Sequence, residues 1–226
     1  MFWVHEDVVK PSMTTEYETV CKELTSALKQ HNIPFENILA QTEDNRYLWV
    51  GPIASMQETQ DFDTFQQLSA KMGEKEMGAL FERMNKCYEI EHDYVINLSS
   101  ELSYMPDGMT QTPEGKNYRK FYYLHTQPGT GGAVAEQMKA VKAVFAAKNS
   151  PVHYRVYRSG FGTRGEFFMV AVASASELDE ATQSAANREL LGEEGGQALG
   201  KLFAMLSSYE EYTGWMRPDI TNPDGM

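Results

Sequence analysis

The chain has 226 residues, of which 42% are hydrophobic and 23% charged, enough for one large domain or two small ones. Its 20 basic and 32 acidic residues give a net charge of −12; with no basic run anywhere, nucleic acid and anionic membranes are poor partners, since both reward clustered Lys and Arg. No segment approaches the ~20 apolar residues that cross a bilayer. The amino terminus has no charged-then-apolar leader pattern, so a cytoplasmic location is expected, although a chain trimmed of its leader would read the same.

Residues 2–9 are dense in aromatic and β-branched side chains and predict a half-buried strand, which Pro11 ends because proline donates no ladder hydrogen bond. Tyr17, Val20, Cys21, Leu24 and Leu28 recur at steps of three and four, one apolar face of a helix over 15–30. Strands are predicted over 35–41 and 47–53, with a turn at Glu43-Asp44-Asn45. Helices over 61–71, with Phe62 in its apolar stripe, and over 75–88 flank Gly73, and a strand follows over 91–99. Pro106, Gly108, Pro113 and Gly115 mark a linker with no periodicity.

The order then repeats. A strand over 118–126 leads into a helix whose apolar face is Val134, Met138, Val141 and Phe145. A second hairpin follows, then helices over 178–190 and 197–208, a strand over 209–217, and a frayed tail over 222–226. Pro11 and Pro128, like Pro34 and Pro151, are 117 positions apart, and Ala54-Ser55 and Ala173-Ser174 are 119 apart. An internal repeat of this kind sets the fold reading. The expectation is α+β: two ferredoxin-like βαββαβ repeats, residues 1–105 and 118–226 around a linker at 106–117, packed sheet to sheet so that two apolar sheet faces hide from water in each other.

Val8-Val9-Lys10-Pro11-Ser12 followed by Glu16-Tyr17, with Thr126-Gln127-Pro128-Gly129 in the second half, resembles the strand-to-helix start of the dimeric α/β-barrel superfamily, in particular its antibiotic-biosynthesis-monooxygenase-like and NIPSNAP-like members. Ser12 replaces the usual glycine. The resemblance spans nearly the whole chain, as two fused copies, and its motif is structural. It implies a barrel with a ligand-holding interior, in a superfamily that includes cofactor-free oxygenases, haem-binding enzymes, lactone isomerases and proteins of no known activity.

Trp3, His5 and Asp7 share one face of the first strand, and an imidazole beside a carboxylate could serve as a general base; the competing reading is an edge-strand histidine with solvated neighbours. His125 shares a face with Tyr123, and His153 with Arg155 and Tyr157, groups that could orient a phenolic or carboxylate ligand or form ordinary cross-strand pairs. Trp49 suits a cavity wall or plain core. His31 and His92 are read as structural or rim residues. Cys21 and Cys87, both placed in helices, are read as small buried hydrophobes rather than a disulfide or a nucleophile. No metal-ligand spacing occurs, so no metal and no cofactor are expected. Two function classes follow. One is a protein that binds a small apolar or aromatic ligand in the barrel interior. The other is a cofactor-free monooxygenase-like or isomerase-like enzyme using His5, Asp7 and His125, with Trp3, Trp49, Tyr123, His153, Arg155 and Tyr157 lining the site. The expected assembly is a monomeric pseudo-dimer or a homodimer.

Overall fold

Val4, Asp7 and Val9 are the buried positions of the first strand, β1 (Phe2–Val9). In the computed structural model, which describes residues 1–59 and 63–221, β1 pairs antiparallel with β3 (Arg46–Pro52), setting His5 opposite Trp49 and Asp7 opposite Tyr47. β3 pairs in turn with β2 (Ile38–Thr42). Asn45 closes that hairpin at φ 62°, a left-handed conformation that asparagine tolerates.

The chain forms two compact units. The first comprises residues 1–95 with the described part of the carboxyl-terminal segment from Trp215; the second is Ile96–Gly214. In the first, the predicted apolar face of α1 (Thr14–Gln30) is the buried one, and Tyr17, Val20, Cys21, Leu24 and Leu28 pack with Leu39, Tyr47 and Trp49 of the sheet. Leu68 of α2 (Thr64–Met72) and Met77, Leu80 and Met84 of α3 (Glu74–Met84) complete this core. Gly73 separates the two helices at φ 103°. Arg217 ties in the carboxyl-terminal segment: its backbone N donates to Leu39 O at 2.9 Å, and its guanidinium pairs with Glu18 and Asp219.

The second unit repeats the pattern. β5 (Tyr118–His125) pairs with β7 (Phe167–Ser174), and β7 with β6 (Tyr154–Ser159), all antiparallel. The end of β4 (Tyr88–Leu98) pairs with β6 from Ile96 onward, which is why it is counted in this unit. α4 (Gly131–Ala147) buries Val134, Met138, Val141 and Phe145 against Leu124, Val156 and Phe168. α5 (Glu177–Phe203) starts on a capping arrangement in which Ser176 Oγ accepts from Asp179 N at 3.1 Å and Asp179 Oδ2 accepts from Ala175 N at 2.9 Å. It is kinked at Gly192, where φ is 58° and ψ −150°, at the break between the two helices predicted there.

Within the first unit the strands run in the order β1-β3-β2 and within the second β5-β7-β6-β4, and β8 (Ser208–Met216) follows α5. Two expectations needed correction. Tyr88 opens β4 instead of ending a helix, and Cys87 lies in the turn after α3, where Lys10 N bonds its carbonyl oxygen at 2.8 Å. That backbone pairing with the segment after β1 overrides the apolar spacing that extended the helix. Cys21 and Cys87 are both buried and free. Phe62 and the tail over 222–226 lie outside the described residues. No helix among the described residues is long and apolar enough to cross a membrane.

Candidate functional site

Each unit holds a cavity on the helix-covered side of its own sheet, instead of the opposite sheet face where the sequence pattern suggested a ligand. In the first unit it measures about 430 Å³ and is walled by Trp3, Trp49, Phe35, Phe65, Phe81 and Tyr88, a volume in the range of small-molecule sites. His5, Asp7, Glu91 and Asp93 also line it.

A hydrogen-bonded line runs into this cavity's floor. Trp49 Nε1 donates to the Tyr17 hydroxyl at 2.9 Å, and Tyr17 donates to Asp7 Oδ2 at 2.6 Å. Asp7 is 2% exposed, so its charge needs such partners. Its second oxygen, Oδ1, lies 3.2 Å from His5 Nε2, in ion-pair range but off the line of a hydrogen bond, and has no hydrogen-bond donor. The other ring nitrogen, His5 Nδ1, is 3.0 Å from Asp93 Oδ1. Burial alone would lower the His5 pKa; Asp7 and Asp93 outweigh it and push it up to about 10. Burial raises Asp93, but its bonds to His5 and the Trp3 indole bring it below the ordinary value. Burial, then Cys21 and Asp7, hold Tyr17 well above the usual phenol range. Trp3 stacks on His5 at 5.6 Å between ring centroids. The two flanking carboxylates thus favour the imidazolium form of His5.

The remaining nominated residues lie elsewhere. His125, in the second unit, faces Glu210 at 3.2 Å and Phe167 at 5.8 Å. Tyr123 packs edge-on against Phe167 and Tyr212. His153 sits 3.7 Å from Asp107 and edge-on to Tyr104. Arg155, 3% exposed, donates to Thr110 O at 2.8 Å, and Tyr157 accepts from Gln111 Nε2 at 3.0 Å. Together with Arg119, which donates to Gln111 O at 3.0 Å, they fasten the segment before β5. None of these residues lines either cavity.

The sequence reading passed over Tyr17, Glu91 and Asp93. The signal for Tyr17 was a hydroxyl in the middle of a buried helical stripe, where it must find a partner. For Glu91 and Asp93 it was their two-residue spacing on one strand face.

In the second unit the cavity is about 440 Å³ and mostly apolar, with Lys120, Glu180 and Glu211 among its polar lining. Lys120 Nζ pairs with Glu211 at 2.7 Å.

No protein-family model matches the chain, and no curated protein matches it in sequence. Its fold is shared with solved structures. An anthrone oxidase-like protein superposes with a TM-score of 0.62 at 12% identity, over 95% of this chain and 90% of that one. A protein named as a monooxygenase, from Lactobacillus acidophilus NCFM, gives 0.56 at 8% identity, over 95% and 92%. A mutant chlorite dismutase from Candidatus Nitrospira defluvii gives 0.56 at 11% identity, over 97% and 93%. The architecture is that of the dimeric α/β-barrel class; at these identities the likeness is one of fold.

Proposed function

We propose that the chain binds a small, flat aromatic molecule carrying a polar substituent in the cavity between sheet and helices of the first unit. The observation that carries this reading is the seven aromatic side chains, Tyr17 among them, around about 430 Å³, with His5, Asp7, Glu91 and Asp93 in the polar part of the lining. Rings stack and pack edge-on against such walls, and the ligand's polar end meets the His5–Asp93 edge. The test is Trp emission, because Trp3 and Trp49 stand in the wall. Titration with 1-naphthol in EDTA should quench it saturably, and Phe81→Ala should weaken that response about tenfold. No saturable quenching by 1-naphthol or 1,8-dihydroxyanthrone would refute the reading.

A second reading, a monooxygenase-like enzyme acting on such a molecule, is favoured by the fold shared with the proteins named above. In it His5 serves as a fixed cation beside a developing anion and not as a base. Oxygen uptake with 1,8-dihydroxyanthrone, lost in His5→Gln, tests it.

We further propose that the two units descend from one ferredoxin-like repeat. The positions lining the first cavity at 3, 5, 7, 21, 24, 28 and 35 correspond, each at an offset of 117, to lining positions 120, 122, 124, 138, 141, 145 and 152 of the second. That is the offset separating Pro11 from Pro128.

A further inference from the structure

Three side chains able to ligate a metal meet at the edge of the first unit's cavity: His5 of β1 with Glu91 and Asp93 of β4. One donor atom of each lies within 4.8 Å of the other two. We propose that His5 Nδ1 and one carboxylate oxygen each from Glu91 and Asp93 hold a divalent transition-metal ion. This goes beyond the aromatic-ligand reading and does not rest on it.

The donor set selects the class of ion. One imidazole nitrogen with two carboxylate oxygens suits Mn²⁺, Fe²⁺, Co²⁺ or Zn²⁺, whereas Ca²⁺ and Mg²⁺ take oxygen ligands. Bonds of ~2.0–2.2 Å put the donors of one ion about 3–4 Å apart, so small rotations of Glu91 and Asp93, both exposed, close the present spacing. The same exposure leaves coordination positions to water.

A second observation, independent of the three donors, points to an ion. A metal-bound imidazole characteristically gives its other N–H to a carboxylate, which fixes the ring's orientation and tautomer. Asp7 is such a carboxylate. It is 2% exposed, lies on the Nε2 side of the ring, and its Oδ1 has no hydrogen-bond donor. Its other oxygen is held by Tyr17, itself bonded by Trp49, so the supporting group is fixed before any ion arrives. As the ion binds, the Nδ1 proton leaves to solvent, the ion takes its place, and a small turn of the neutral ring aims Nε2–H at Oδ1. The corresponding positions of the second unit are Tyr122 and Leu124, with neither imidazole nor buried carboxylate, so the proposal requires one site per chain.

The experiment is calorimetric titration of the untagged, EDTA-stripped full chain with Zn²⁺, and electron paramagnetic resonance with Mn²⁺. One Zn²⁺ per chain is expected. His5→Ala, Glu91→Gln and Asp93→Asn should each weaken it at least tenfold, while Glu210→Gln, which removes a carboxylate from another histidine pair, should leave it unchanged. Bound Mn²⁺ should show hyperfine coupling to one imidazole nitrogen that is lost in His5→Ala. Asp7→Asn should weaken Zn²⁺ binding about 10- to 100-fold; if it does not fold, the exposed Glu91 and Asp93 variants, checked by circular dichroism, still decide. No stoichiometric binding overturns the proposal, as does affinity insensitive to His5→Ala, which would leave His5 a static imidazolium between two carboxylates. Because 1-naphthol binding is measured in EDTA, its failure and the failure of this site are separate results.

Discussion

The two cavities are built on corresponding positions but differ in three of the residues buried there. In the first unit Asp7, Tyr17 and Trp49 form a buried chain of hydrogen bonds. At the matching positions of the second stand Leu124, Val134 and Phe168, all packed in its apolar core. Three polar-capable residues are exchanged together for three apolar ones. That is the pattern expected when a half-satisfied buried network is worse than either a complete one or none. The difference also indicates where chemistry resides: a fold maintained equally well by Leu-Val-Phe does not need Asp-Tyr-Trp for stability, so the polar set in the first unit answers to something else.

The largest effects should come from crossing the two sets one residue at a time. Asp7→Leu strips Tyr17 of its acceptor and His5 of a counter-charge, and Leu124→Asp buries a carboxylate with neither partner. Each should cost about 3–5 kcal/mol, read as a lowered urea midpoint. The combination Asp7→Leu with Tyr17→Phe should cost less than the sum of its singles by at least about 1 kcal/mol, because it removes both ends of one hydrogen bond. Strict additivity would mean that the line is not a coupled network.

How far this contrast can be read from sequence alone depends on the kind of residue. The steps of three and four through Tyr17, Val20, Cys21, Leu24 and Leu28 carry their own geometry, so the buried face of α1 followed from the chain. His5 and Asp7 were visible because they lie two apart on one strand. Glu91 and Asp93 were not, since no spacing rule connects position 5 with position 93. Nor could the protonation of His5 be read, because it is set by two carboxylates that only the fold brings to opposite sides of the ring. For Arg155 and Tyr157, alternation gives the strand face but not the loop, with Thr110 and Gln111, that bonds to them.

Gly73 between α2 and α3 and Gly192 within α5 are 119 positions apart, and both have positive φ. A Cβ at either position would meet nothing within 4 Å, so replacement by alanine tests backbone strain alone. Gly192, at φ 58° and ψ −150°, occupies a region open essentially only to glycine. Gly73→Ala and Gly192→Ala should each cost about 1–3 kcal/mol. Thermal midpoints unchanged within error in both would show that these breaks relax freely and are not enforced kinks.

The smallest effect expected is the pH dependence that His5 confers on the first unit and that Tyr122 cannot confer on the second. Folding raises the His5 pKa from its ordinary 6.5 to about 10, so the folded state binds the proton more tightly than the unfolded state. Its stabilising contribution is therefore complete below pH 6.5 and is lost as pH rises towards 10. Asp93 is about half exposed, so solvent and salt screen much of the attraction, and roughly 1 kcal/mol is expected. The stability difference between the parent and His5→Gln, measured in EDTA by urea unfolding, isolates this term because the other titrations cancel. It should favour the parent at pH 6.0, shrink steadily, and be near zero at pH 10.5. A difference constant across that range would mean that the ring contributes packing on Trp3 and not charge, and the two cavities would then differ in shape more than in electrostatics.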